Sequence, residues 1–194
     1  VTAGSMRDEA DESAAMTILA TASPLVSRVQ SGNDQGIGVI ICKYRQSPND
    51  ALAGHKSTSY LPRLLGLREA RSARCDEALW FTTQNALAEG SVSNVFVVHG
   101  GVVRTPPLDT PVVPGIARRT VLELAARHGV STEERMLTID ELLDADEVFL
   151  TNAIMQVMPV MRVERKVIGA GRVGPLTRRL ADEYTNLARE ECGS

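Results

Sequence analysis

The feature that most restricts how this chain can fold is a repeated change of hydrophobic period. GIGVIICKY (36–44), EALWFTT (77–83), SNVFVVHGGVVRT (93–105), TEERMLT (132–138), EVFLTN (147–152) and QVMPVMRVE (156–164) are short and rich in β-branched and aliphatic residues, and turn formers bound most of them; they read as strands. MTILATASPLV (16–26) reads the same way. Between these runs the apolar residues recur at helical spacing. They do so from Leu61 for about four turns, in IARRTVLELAARHG (116–129), in TIDELLDA (138–145) and in GPLTRRLADEYTNLAREE (174–191). The elements alternate without a regular βαβ repeat and with hairpins among the strands. The predicted class is therefore α+β (mixed α/β). The acidic opening, residues 1–16, is read as a solvated loop.

Composition narrows the function classes. With 194 residues and 43% apolar content the chain can bury one substantial core or two small ones. Its 21 Lys and Arg nearly balance 24 Asp and Glu, which leaves a formal charge of −3 and no basic field for nucleic acid or an anionic membrane. No apolar run approaches the roughly 20 residues that cross a bilayer, and the first residues lack the basic-then-apolar order of a signal peptide. A cytoplasmic location and small-molecule partners are expected. Three cysteines, Cys42, Cys75 and Cys192, are too few and too scattered for a disulfide framework. His55, His99 and His128 stand at no metal-ligand spacing, and no metal is expected.

Four segments carry chemistry. In AGHKSTSYLPRLLGLREA (53–70), Lys56 sits among small and hydroxyl residues directly before a helix, where a desolvated amine could form a Schiff base with pyridoxal phosphate; the bland alternative is a solvated lysine. In ALAEGSVSNVFVVHGG (86–101), Glu89 at a turn is either a surface acid or a carboxylate that keeps a pyridine nitrogen protonated. In TPVVPGIARRTVLELAARHG (110–129), the turn at Pro114 and Gly115 presents the amides of Ile116 and Ala117 at a helix start, where phosphate binds well. In DEVFLTNAIMQVMPV (146–160), Thr151, Asn152 and Ala153 interrupt a buried run, as an ordinary β-turn or as one facing a ligand.

Taken in this order, together with RTPPL (104–108) and GAGRVGPLTRRL (169–180), the segments resemble the fold type IV pyridoxal phosphate enzymes, which include branched-chain and D-amino acid aminotransferases and aminodeoxychorismate lyase. The resemblance runs from about Gly54 to Tyr184. It implies pyridoxal 5'-phosphate as cofactor and Lys56 as both Schiff-base partner and the base for the substrate's α-proton. It also implies Glu89 as partner of the pyridinium nitrogen and Tyr60 as a hydrogen bond to the cofactor's phenolic oxygen. The phosphate would lie against Ile116 and Ala117 and against Asn152 and Ala153, with the amides of Ala153 and Ile154 meeting phosphate or substrate carboxylate. Where many members have Gly-Ile-Thr this chain has Gly-Ile-Ala, and Asn-Ala-Ile replaces a Gly-Thr-Ala.

The resemblance implies the large C-terminal domain of such an enzyme. Residues 1–52 read as a polar segment with leading strands near a domain junction, and 53–194 as the cofactor-binding α/β domain. Of the smaller N-terminal domain, which supplies an arginine to the phosphate, almost nothing is present, so the chain is expected to be a fragment. A homodimer with sites near the interface is implied. KSTSYL with TNAIMQVMPV looks more like the lyase branch, so the first expectation is aminodeoxychorismate lyase, releasing 4-aminobenzoate and pyruvate. The alternatives are an aminotransferase for branched-chain or D-amino acids and, from another class, a non-catalytic binding domain.

Overall fold

The computed structural model describes residues 20–22 and 36–193; the expected loop at 1–16 and most of the expected strand at 16–26 lie outside the described residues. In chain order the elements are β1 (Ile37–Gln46), α1 (Leu61–Ser72), β2 (Glu77–Thr82), β3 (Leu87–Gly90), β4 (Asn94–His99), β5 (Val102–Thr105), α2 (Ile116–Arg127), β6 (Thr132–Glu134), α3 (Ile139–Leu143), β7 (Glu147–Asn152), β8 (Gln156–Val163), β9 (Lys166–Val167) and α4 (Pro175–Cys192). Among the described residues all strands join one sheet in the order β3-β2-β1-β8-β7-β4-β5-β6, with β9 on β8.

The sheet is mixed for a reason visible in its connections. β4 with β5 and β7 with β8 are antiparallel neighbours closed by short turns, whereas β1 lies parallel to both β2 and β8. A parallel pair needs a long crossover, and α1 supplies it between β1 and β2. β1, parallel to both neighbours, thereby joins the β2–β3 pair to the antiparallel run β8-β7-β4-β5, with β6 parallel to β5 at the far edge.

Alternation along the strands divides the apolar residues between two faces. Val39, Leu79, Phe81, Val95, Val97, Val148, Leu150 and Val160 pack into one cluster, closed by Leu137 and Leu142 from the α3 region. Phe96, Val98 and Phe149 point the other way and meet Val121, Leu124 and Ala125 of α2 and Leu180 and Ala181 of α4. A smaller cluster sets Ile40, Cys42, Ala78 and Trp80 against Ala70 of α1. The stacked pair Phe96 and Phe149, 4.8 Å between ring centroids, lies at the centre of the second cluster. Burying a side chain of this size stabilises by about 1.5–3 kcal/mol. Cys42 and Cys75 are buried free thiols, and burial pushes the Cys42 thiol up.

Three details differ from the sequence reading. α1 ends at Ser72 after 12 residues, close to three turns, because the chain must reverse at 73–75 to enter β2. The run at 132–138 is a strand only over Thr132–Glu134; Thr138 leaves it to cap α3, its side chain accepting from the Glu141 N–H while Glu141 reaches back to the Thr138 N–H. Leu87–Gly90 is a strand, where a turn was expected. Among the described residues no helix is long and apolar enough to cross a membrane.

Candidate active site

The loop from Ser47 to Tyr60, the wall formed by β2, β3 and the 91–93 turn, the start of α2 and the end of β7 enclose a cleft of about 910 Å³. Lys56, Tyr60, Glu89, Ile116, Ala117, Asn152 and Ala153 all line it, although 97 residues separate the first from the last. Ile154 does not line it.

Lys56 is exposed on the loop between β1 and α1. Two residues before it, Gly54 has a φ of 74°, in the left-handed region that glycine enters freely, and a side chain there would press on the Val112 carbonyl. Glycine thus lets the lysine-bearing loop pass close to the segment leading into α2. Tyr60, half-buried before α1, donates its hydroxyl to the Ser91 carbonyl at 2.8 Å. Burial pushes that hydroxyl's pKa up.

The opposite wall is buried and densely bonded. Glu89 is 4% exposed in β3; its Oε1 lies 2.5 Å from Arg63 Nη2 and its Oε2 accepts from the Val113 N–H at 2.8 Å. Burial holds its carboxyl above the ordinary range, while Arg63 and the Val113 amide pull it back. Behind it Glu77, 1% exposed, accepts from the N–H groups of Ala78, Ser91 and Val92 and from the Ser93 hydroxyl. Burial raises this carboxyl too, and its hydrogen bonds oppose the rise. Glu77 therefore clamps the 91–93 turn that forms the cleft wall.

At the far end, α2 starts at Ile116 after Gly115, and among the described residues no side chain caps its first amides. Uncapped amides and the positive end of the helix dipole suit an anion. Asn94 fixes this end: its Nδ2 donates to the Val113 carbonyl at 2.8 Å, and its Oδ1 fills the space a side chain on Gly115 would need. Asn94 is paired in register with Thr151 of β7, whose buried hydroxyl has no hydrogen-bond partner among the described residues. In the β7–β8 turn, Asn152 accepts from the N–H groups of Ile154 and Met155 at 2.9 and 2.7 Å and donates to the Val92 carbonyl at 3.0 Å. Ile154 departs from the expectation for it. Its amide is engaged inside the turn by Asn152 and its side chain is 62% exposed, because asparagine at 152 folds the turn onto itself.

Sequence reasoning missed Arg63, Glu77 and Asn94. Arg63 carried one signal: it is a cation in the first turn of a helix that has no acid there, a placement the helix dipole disfavours unless a partner compensates.

A mixed sheet crossed by α1, with a lysine loop, a buried carboxylate wall and an open helix start around one cleft, defines the class. The model of the class IV amino-transferase family matches residues 1–163, and the chain belongs to that family, with the fold type IV architecture. It is 39% identical over 155 residues to a branched-chain-amino-acid aminotransferase of Pseudomonas aeruginosa, covering 79% of this chain and 50% of the relative. The crystal structure of the Escherichia coli branched-chain aminotransferase superposes with a TM-score of 0.76 at 33% identity, over 79% of this chain and 52% of that one. That of Thermobaculum terrenum in its PLP form gives 0.79 at 30% identity, over 84% and 54%. The chain spans about half the length of the relatives it matches.

Proposed function

We propose that this chain carries the cofactor-binding half of a pyridoxal phosphate-dependent aminotransferase acting on branched-chain amino acids. The supporting observation is the meeting in one cleft of an exposed lysine, a buried carboxylate and an uncapped helix start, in a chain whose relatives are named branched-chain aminotransferases.

The residues present fit the cofactor. The amides of Ile116 and Ala117, with Asn152 and Ala153 opposite, would hold the phosphate, and the unpartnered Thr151 hydroxyl gives that end a donor in a chain that has alanine at both 117 and 153. Glu89 would face the ring nitrogen, and Tyr60 the phenolic oxygen once its hydroxyl turns from the Ser91 carbonyl. When bound, the ring supplies an electron sink for the substrate's α-carbon. The chain supplies positioning and proton transfer: Glu89 holds a proton on the ring nitrogen, and the Lys56 amine takes the proton from the substrate α-carbon and returns it further along. The buried wall keeps water from the side of the site where charge develops. Leu61, Leu65 and Ile116 line the cleft and are exposed, which supports completion of the site by another domain or a second copy.

The relatives favour this reading over the lyase that the Asn-Ala-Ile turn suggested. The test is product analysis of the protein loaded with pyridoxal phosphate. L-leucine with 2-oxoglutarate should yield glutamate and 4-methyl-2-oxopentanoate. Release of 4-aminobenzoate and pyruvate from aminodeoxychorismate, without transamination, would establish the lyase instead. Cofactor binding with neither product would leave a binding domain.

A further inference from the structure

Arg63 is the least expected group at the site. It sits in the first turn of α1, at the positive end of the helix dipole, with no acid beside it in that turn. Its position is nonetheless defined. The guanidinium lies 4.6 Å from the Trp80 ring centroid, a cation–π geometry, and Trp80 is itself anchored by its Nε1 donating to Ser91 Oγ at 2.9 Å. From there Arg63 meets Glu89 Oε1 at 2.5 Å, with side chains only 16% and 5% exposed. The other Glu89 oxygen is taken by the Val113 amide. The carboxylate is thus gripped at both oxygens, by α1 on one side and by the approach to α2 on the other.

We propose that Arg63 is a positioning residue for Glu89: through this ion pair it keeps the carboxylate anionic and fixed at the cleft wall, and so sets how strongly Glu89 draws a proton onto a ring nitrogen. The inference rests on the role given to Glu89 above. Its physical basis is the balance of groups around that carboxylate. Burial and Glu77 both favour the protonated acid, whereas Arg63 and the Val113 N–H favour the anion, and Arg63 is the charged member of that second pair. Tyr60 and Lys56 line the same cleft. Without Arg63 the wall would hold two buried carboxyls with no cation paired to either. A carboxylate paired to a permanent cation is also a weaker base than a lone buried one, so the arginine moderates the site as well as ionising it.

The experiment is a pH titration of the cofactor-free protein by infrared difference spectroscopy, with the Glu89 band identified by its loss in Glu89→Gln. Arg63→Gln keeps a hydrogen-bond donor and removes the charge; the Glu89 midpoint should rise by roughly 1–3 pH units. Arg63→Lys keeps the charge without the fork and should raise it by less. An unchanged midpoint in whichever variant folds overturns the proposal, since a purely structural tether would leave it in place. A second measurement separates this from the role of Glu89 itself. If ¹⁵N-labelled pyridoxal phosphate bound to Glu89→Gln gives the same ring-nitrogen resonance as in wild type, the reading of Glu89 fails, whatever the titration shows about Arg63.

Discussion

The two sides of the cleft are built on opposite principles. The Lys56 side is a loop of 14 residues, 47–60, whose lysine is exposed and whose hydrogen bonds are mostly to its own near neighbours, such as Ala53 to Asp50 and His55 to Leu52. The Glu89 side is strand backbone packed on the core, with two buried carboxylates cross-linked to α1, to the 91–93 turn and to the approach to α2. The difference teaches where preorganisation is needed. A carboxylate that must stay charged out of water requires fixed partners, because an uncompensated buried charge is costly. An amine in the role proposed for Lys56 must instead reach a ligand and move, and a loop on the surface permits that.

The comparison breaks most visibly at Lys56. On the role proposed for Lys56, Lys56→Ala should lower turnover of the loaded protein by about 10²–10⁴-fold, the range expected for loss of a proton-transferring group. It should leave the thermal midpoint nearly unchanged, since an exposed loop side chain contributes within roughly ±0.5 kcal/mol. Borohydride reduction should place the phosphopyridoxyl group on Lys56; recovery on Lys43 or Lys166 would remove Lys56 from the site. Glu77→Ala is the converse. It touches no proposed reacting atom, yet it strips partners from three backbone amides and the Ser93 hydroxyl. Unfolding free energy should drop by at least about 2 kcal/mol, read by denaturant titration. A drop as small as that of Lys56→Ala would mean that the 91–93 turn does not depend on Glu77.

The smallest effect is in pH dependence, and its sign distinguishes buried from exposed carboxylates. Glu77 and Glu89 have raised folded pKa values, so between the unfolded value and the folded one the native state binds more protons. Their contribution to stability therefore falls as pH rises through that window. Glu141, on the surface, is the opposite case. Its hydrogen bonds to Arg135 and Thr138 hold it down to about 2, so its contribution is present above the unfolded value near 4.5 and is lost as pH falls toward 2. Glu141→Gln should flatten the acid limb of the stability curve between those values and leave the neutral limb unchanged. The effect is modest because the side chain is partly solvated, 32% exposed.

What the sequence determined by itself was whatever local periodicity and ordered motifs encode. Ten of the elements follow from runs whose period is visible within a dozen residues: β1, β2, β4, β5, β7, β8, α1, α2, α3 and α4. Lys56, Glu89, Ile116, Ala117, Asn152 and Ala153 were selected from short motifs, and the fold returns them to one cleft. Tertiary structure alone decided the rest. Nothing local says that β1 runs between β2 and β8, since strand pairing is set by which distant faces must share a core. Nor does local sequence reveal that Glu89 is a buried strand residue gripped by an arginine 26 positions earlier, or that Glu77 holds a turn 14 to 16 residues away. A charged residue reads as exposed in a sequence because solvation favours it there. Only the arrangement of partners in space reverses that preference: α1 and the α2 approach supply the partners of Glu89, and Ala78 with the 91–93 turn supplies those of Glu77.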